Sequence, residues 1–503
     1  MTDFKPVSFD EWLAKIEKDL KGKTLENLEK PNFEGIVVHP VYNREKTNLT
    51  TGTPGKAPYS RGAKPENNEW TINQDFQVKE DNAKTINTLL LKQLMDGVNG
   101  VTLSGNVEGN LATLFNEIGL PHIETFIRPE AASKALIEEF ITTCEKADFD
   151  VKTVKGAIEC DPFGLALSTG YFDEGEMEAT LESALHSAKF APAMRSVLIN
   201  GYQLHMAGAT TVQELGIALA EGHEYLVALM EKGLSVDAAA ARLQFEFSTG
   251  TQYFFEIAKL KAFRMLWSRI IEEYLPEHDC SHTTYVHART SEWFHTVYDA
   301  HNNMLRDTSA AMAAAIAGAD AITVTPFDSA YQDETSFSNR MAKNIQLILK
   351  DESGLGKIID ASAGSYYIED LIDQYLEKGW DIFTSIEKSG GYKKAILAGD
   401  IQKMVTESAT KKAEWVKESK MVMIGVNKYP NQEETAKDKV HDTYGYSFIP
   451  PTEWSIPQKR TPVCLPQEKC TPCPTYTSTD SIDLLEVRNL EKNVPKFELK
   501  QKN

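Results

Sequence analysis

Near the C-terminal end, three cysteines lie close together as Cys464-x5-Cys470-Thr-Pro-Cys473. Thiolates grouped this way can bind zinc when they form two close pairs, or when histidine completes a set of four ligands. Only His441 stands nearby and the two-pair spacing is missing, so the group reads as unpaired thiols in an irregular tail. Cys144, Cys160 and Cys280 are scattered through regular segments and are expected to be reduced, buried thiols. Among ionisable residues, Glu246 and Arg289 fall in or just after strand-like runs and could pair with each other inside a filled barrel. Glu138, Glu139 and Glu145 read as a solvated helix face. Tyr253, Phe254, Phe255, Phe263 and Trp267 have helical spacing and read as core. Asp161-Pro162-Phe163-Gly164 follows a strand-like run and carries turn-type residues.

The elements that position these residues repeat. From about residue 70, short apolar runs recur at Trp70–Phe76, Gly100–Leu103, His122–Ile127, Lys155–Glu159, Ser196–Ile199, Leu243–Phe247, Thr283–Val286, Ala321–Val324 and Lys357–Ile359. Longer stretches of helical spacing separate them, such as Thr211–Lys232, Tyr253–Tyr274, His301–Ala317 and Asn339–Asp351. Repeated βα units demand parallel strands joined by crossover helices. Eight or nine such units fit an eight-stranded parallel β/α (TIM-type) barrel better than an open sheet, and no Gly-rich dinucleotide fingerprint or P-loop favours the open form.

The expected division is an N-terminal helix and partner-wrapping arm over 1–60, the barrel over 61–392, a helical linker and final strand over 393–430, and an irregular Pro-rich tail over 431–503. In the arm, Phe9, Trp12, Leu13, Ile16 and Leu20 form one apolar stripe. Met421–Val426 reads as one more strand.

With 503 residues, 42% hydrophobic and 25% charged, the chain has ordinary globular composition. A formal charge of −20 argues against nucleic acid as a partner, because phosphates would be repelled. No run approaches the roughly 20 apolar residues that span a bilayer, so no membrane role is expected. The start, Met-Thr-Asp-Phe-Lys-Pro, lacks the apolar core of a secretion signal and points to the cytoplasm.

Several segments resemble the methylmalonyl-CoA mutase family. They are 54–62 (PGKAPYSRG), 243–269 (LQFEFSTGTQYFFEIAKLKAFRMLWSR), 288–306 (ARTSEWFHTVYDAHNNMLR), 336–354 (SFSNRMAKNIQLILKDESG), 360–369 (DASAGSYYIE) and 424–429 (IGVNKY), in the family's order. The opening PVSFDEWLAKIEKDLKG looks like the start of the family's small subunits, and Asp161-Pro-Phe-Gly resembles their Asp-Pro-Leu-Gly. The resemblance covers most of residues 6–430 and implies a β/α barrel. It also implies the radical interconversion of methylmalonyl-CoA and succinyl-CoA with adenosylcobalamin, which a separate Rossmann-like domain holds.

The resemblance also says what is changed. The family's cobalt-binding Asp-x-His-x-x-Gly is absent; its nearest look-alike, Asp299-Ala-His301-Asn-Asn-Met304, lacks the glycine and lies in the Asn-Asn-x-x-Arg segment. Where catalytic subunits carry Pro-Trp-Thr-Ile-Arg-Gln-Tyr, this chain reads Glu69-Trp-Thr-Ile-Asn73-Gln-Asp75, so Asp75 replaces the tyrosine that wedges against the cofactor. An unpaired carboxylate facing an apolar corrin would be costly. Gln203, in Gly201-Tyr-Gln-Leu-His205-Met-Ala-Gly-Ala209, replaces the histidine that polarises the thioester carbonyl. Glutamine donates a hydrogen bond but does not titrate near neutrality. His205 reads as a hydrogen-bonded structural histidine; it and Arg289 are the remaining candidates for touching substrate. Arg195 falls at the wrong offset for the substrate-carboxylate clamp and is expected in an ordinary salt bridge.

The expectation is therefore the small, non-catalytic subunit of a heterodimeric mutase, without a cobalamin-binding domain. The catalytic large subunit would hold adenosylcobalamin and the acyl-CoA. Rival readings are a catalytic barrel that borrows cobalamin from a separate small protein, a cobalamin-free acyl-CoA binder, and a purely structural interaction protein.

Overall fold

A computed structural model describes residues 7–29, 32–45, 47, 49–332, 335–431, 433 and 434. Cys464, Cys470, Cys473, His441 and nearly all of the expected 431–503 tail lie outside the described residues.

The recurring apolar runs form eight strands: β1 (Thr71–Val78), β2 (Gly100–Gly105), β3 (Glu124–Pro129), β4 (Lys155–Cys160), β5 (Met194–Asn200), β6 (Leu243–Thr249), β7 (Tyr285–Thr290) and β8 (Ala321–Thr323). They are parallel, pair in sequence order, and close into a barrel where Thr71 meets Ala321. Residues facing outward, such as Phe245, Phe247 and Val286, are buried under the surrounding helices. The tightest helix contacts depend on glycine. A Cβ on Gly216 of Thr211–Glu231 would lie 2.6 Å from Ile382 Cβ, and one on Gly379 of Tyr366–Lys388 would lie 2.8 Å from Leu215 Cδ2.

Two expected strands are not strands. Lys357–Ile359 follows a 3₁₀ turn (Leu355–Lys357) entered through left-handed Gly354. Met421–Val426 makes only an isolated bridge, Ile424 to Lys428, and packs Met423 and Val426 with Val416 beside Trp293. Both runs are apolar enough, but a barrel closed by eight strands has no free edge to accept a ninth.

Several described residues of the arm, and Arg61 just after it, bond to this chain's own barrel and its helices. Glu34 accepts from the Thr211 amide (2.6 Å) and hydroxyl (2.7 Å), Val37 exchanges two bonds with Gln374, and Arg61 pairs with Glu369 (2.7 Å) and Asp360 (3.1 Å). The first helix, Phe9–Asp19, starts at a Ser8/Glu11 capping box and buries none of its residues. Beyond the barrel, Asp400–Lys417 lies against Gly208, where a Cβ would come within 2.5 Å of Ala409 Cβ.

Side-chain placement corrects several expectations. Cys144 and Cys160 are buried, but Cys280 is exposed because it lies in a surface 3₁₀ turn. Of the aromatic set, Phe255, Phe263 and Trp267 are core, whereas Phe254 is exposed at the first turn of its helix, where it meets Tyr367 of the neighbouring helix edge-on. Glu139 is not simply solvated, since it accepts from the amides of Gly109 and Leu111. Among the described residues, no helix is long and apolar enough to cross a membrane.

Candidate functional site

Side chains alternate along a strand, so every second residue points into the bore. In β3 these are Glu124, Phe126 and Arg128; in β6, Gln244 and Glu246; in β7, Tyr285, His287 and Arg289. They fill the bore in three levels. At the N-terminal end, the Tyr285 hydroxyl donates to Glu124 on the opposite side of the barrel, and the Arg195 guanidinium stacks 3.7 Å over the Tyr285 ring. In the middle, Phe126 packs against His287, while Asn73 Nδ2 donates to Thr102 (2.8 Å) and Thr323 (2.7 Å). At the C-terminal end, Arg128 bridges Glu159 of β4 (2.8 Å) and Glu246 of β6 (2.7 Å), and Arg289 joins Glu246 (3.4 Å) to Asp75 of β1.

Charge orders this upper ring. Burial pushes the Glu246 carboxyl up, but the guanidiniums of Arg128 and Arg289 more than reverse the effect and hold it well below the usual carboxylate range. Glu159 is also raised by burial; Arg128 opposes this and neighbouring Glu246 adds to it, leaving Glu159 high. Burial drives His287 down to about 4, so it is neutral at pH 7, with Nε2 bonded to Thr323 (2.7 Å). Glu159, Glu246 and His287 lie close enough to hold a metal ion. The cation between the two carboxylates is the Arg128 guanidinium, bonded to both, and a metal would have to displace it.

The expected Glu246–Arg289 pair is present, and Asp75 is not the unpaired carboxylate anticipated, because Arg289 crosses to it. Gln203 stands on the short helix Gly201–Met206, buried, with Nε2 donating to the Gly164 carbonyl (2.8 Å). Gly164 must be glycine there: a Cβ would meet Asp161 Oδ2 at 2.0 Å and Gln203 Oε1 at 2.6 Å. Asp161 does more than open a turn. It caps the helix Pro162–Thr169 through the Gly164 amide (2.8 Å) and stands half-buried beside Glu221 and Tyr225.

His205 is buried, with Nε2 2.6 Å from Ser291 Oγ. Burial, then Lys412 and Lys259, lower its pKa far below the ordinary value. Arg195 makes no salt bridge among the described residues; the strand start leaves it opposite Gln244, to which it donates (2.9 Å), and over Tyr285. His301 is exposed and its ring lies tilted against Phe327 at the start of Asn302–Ile316.

Reading residues one at a time in the sequence missed Arg128, Glu159, His287, Glu124 and Tyr285. Polar residues at alternate positions of β6 and β7, and at both ends of β3, were the available signal, since an ordinary filled barrel carries branched aliphatics there.

Residues 97–445 match the family model described as Methylmalonyl-CoA mutase. The chain belongs to the methylmalonyl-CoA mutase family. It is 37% identical over 471 residues to the methylmalonyl-CoA mutase small subunit of Porphyromonas gingivalis, covering 90% of this chain and 76% of that protein. Against the small subunit of Streptomyces virginiae it is 31% identical over 443 residues, 85% and 71% of the two chains. Against the methylmalonyl-CoA mutase of Cereibacter sphaeroides it is 32% identical over 455 residues, 84% of this chain but 64% of that protein. This member of the family thus spans less than two thirds of that longer relative.

Where the resemblance expects an aromatic wedge, Asp75 is tied to Arg289; the one look-alike for the cobalt ligand, His301, is turned onto Phe327.

Proposed function

We propose that this chain is the small, non-catalytic subunit of a heterodimeric, adenosylcobalamin-dependent methylmalonyl-CoA mutase, working in the cytoplasm. The large subunit binds the cofactor and the acyl-CoA and carries out the isomerisation. This chain contributes a rigid barrel and the N-terminal helix as docking surface, stabilising its partner or modulating its opening.

The observation that carries this reading is the filled bore. Tyr285–Glu124 and Arg128–Glu246 join strands that are not neighbours, so these bonds cross the axis at both ends. A pantetheine arm entering along the axis would have to break both and strand buried charges. Gln203, already bonded to Gly164, is a poor electrophile for a thioester carbonyl. The two relatives whose names specify a small subunit point the same way.

The test is purification of the complex through this chain from its native cell, followed by mutase assay with and without it. Activity is expected from the complex and none from the separated chain supplied with adenosylcobalamin and methylmalonyl-CoA. Turnover by the separated chain would overturn the reading and favour a catalytic barrel that borrows its cofactor.

A further inference from the structure

Outside the bore, on the same C-terminal face, three side chains stand in the order nucleophile, imidazole, carboxylate. Ser329 Oγ lies 3.2 Å from His295 Nδ1, and His295 Nε2 lies 2.9 Å from Asp307 Oδ1. Ser329 sits in the turn after β8 and His295 in the loop after β7, while Asp307 projects from the helix Asn302–Ile316 between them. The imidazole and Asp307 are buried and Ser329 is half-buried, so the hydroxyl end of the relay is the one nearest solvent.

The hydrogen bonds select a tautomer. An ionised Asp307 accepts from Nε2–H, which leaves the Nδ1 lone pair facing the Ser329 hydroxyl. The other Asp307 oxygen, Oδ2, has no hydrogen-bond partner among the described residues, so the imidazole is this carboxylate's principal donor. Asn303 holds the two loops in register. It is fully buried and bonds Thr296 through both amide and carbonyl (3.0 Å each) and the Phe327 carbonyl (2.9 Å). One side chain therefore ties the segment after His295 to the segment before Ser329, which is the support a catalytic group needs to keep its geometry. Two residues before Ser329, the buried Phe327 meets the exposed ring of Phe337 edge-on, so an apolar ring stands exposed on this side of the loop.

We propose that Ser329, His295 and Asp307 form a hydrolytic site for acyl esters, thioesters included, independent of the companion role proposed above. Ser329 Oγ bonds to the acyl carbonyl carbon as its proton passes to His295 Nδ1. The carbon–sulfur or carbon–oxygen bond to the leaving group then breaks, and His295 returns the proton to the departing thiolate or alkoxide. Water attacks the acyl-serine with His295 again taking the proton; the acid leaves and Ser329 regains its hydrogen. The net reaction consumes one water and needs no oxidant, reductant or metal. Asp307 is the positioning residue.

The test uses the purified full-length chain. A fluorophosphonate is expected to modify Ser329, read as a mass shift on its peptide. A p-nitrophenyl acyl ester and a short-chain acyl-CoA serve as hydrolysis probes, and the one that turns over distinguishes oxygen esters from thioesters. S329A is expected to remove labelling and hydrolysis, and H295Q to slow both by about 100-fold or more. D307N should lower kcat with KM unchanged and slow labelling in parallel, with D307E restoring part of the rate. A merely structural carboxylate would leave the labelling rate of folded protein unchanged. Because Ser329 is half-buried, S329A should keep the wild-type unfolding midpoint and carries the test even where H295Q does not fold. A folded chain that leaves Ser329 unlabelled, or an S329A variant that hydrolyses both probes at the wild-type rate, overturns the assignment.

Discussion

Arg128 of β3 reaches across the barrel to Glu246 of β6, 2.7 Å from Nη2 to Oε2, and the same guanidinium holds Glu159 of β4 at 2.8 Å. Removing the Glu246 charge leaves Arg128 and Arg289 facing each other across the bore with one fewer counter-charge. Breaking a buried pair from one side typically costs about 3–5 kcal/mol. Glu246→Gln, nearly isosteric, is expected to lower stability by that order, read from the urea unfolding midpoint. A loss below about 1 kcal/mol would mean the ring is solvated and the bore open.

The half-buried carboxyl of Asp161 and the buried one of Glu221 give a pH signature. Burial raises Asp161 to about 6, above its ordinary 3.8, and Glu221 is raised further by burial and by Asp161 itself. A carboxyl with a raised folded pKa binds more protons folded than unfolded in that window, so its contribution to stability declines as pH rises from about 4 to about 6. Asp161→Asn keeps a cap for the Gly164 amide and removes the ionisation. It should flatten that part of the stability–pH curve and raise stability at pH 8; an unchanged curve would refute the assignment.

Restoring the residues expected in a catalytic subunit should not restore catalysis. The double variant D75Y/Q203H, assayed alone with adenosylcobalamin and methylmalonyl-CoA, is expected to show no mutase turnover, because the cross-axis bonds remain. It should also lose stability, since Arg289 gives up its Asp75 partner. Measurable isomerisation would show that two side chains, and not the filled bore, had silenced the barrel.

Arg61 fastens the arm, bonding the Thr50 carbonyl, Asp360 and Glu369 from a nearly buried position. Arg61→Ala leaves both carboxylates without this partner and is expected to cost about 2 kcal/mol or more. Limited proteolysis should then cut first within residues 43–60 while the barrel resists. Simultaneous digestion of arm and barrel would mean the two unfold as one unit.

Much of the architecture was legible in the sequence. All eight strands lie within a few residues of the apolar runs, and Thr211–Glu231 and Tyr253–Glu272 begin where the helical spacing begins. Closure was the step that local pattern could not supply: Lys357–Ile359 and Met421–Val426 look like strands but meet no open edge. In the site, Glu246 and Arg289 were visible as a pair because both are charges in inward-facing runs. Tyr285–Glu124 was not, because residues 161 positions apart meet only once the barrel is round. Asp75 looked isolated for the same reason, and the Ser329–His295–Asp307 relay spans two loops and a helix with no shared spacing to reveal it.

The upper ring of charges has a further consequence for how faithfully the barrel is assembled. Its members come from β1, β3, β4, β6 and β7, and each must point inward at one height. Sliding any of these strands by a single residue would turn its charge into the apolar wall beneath the helices. A bore lined with leucine would forgive such a slip; here it is penalised five times over. The ring thus acts as a combination lock on strand alignment, and substitutions within it should be tolerated in matched sets and seldom singly.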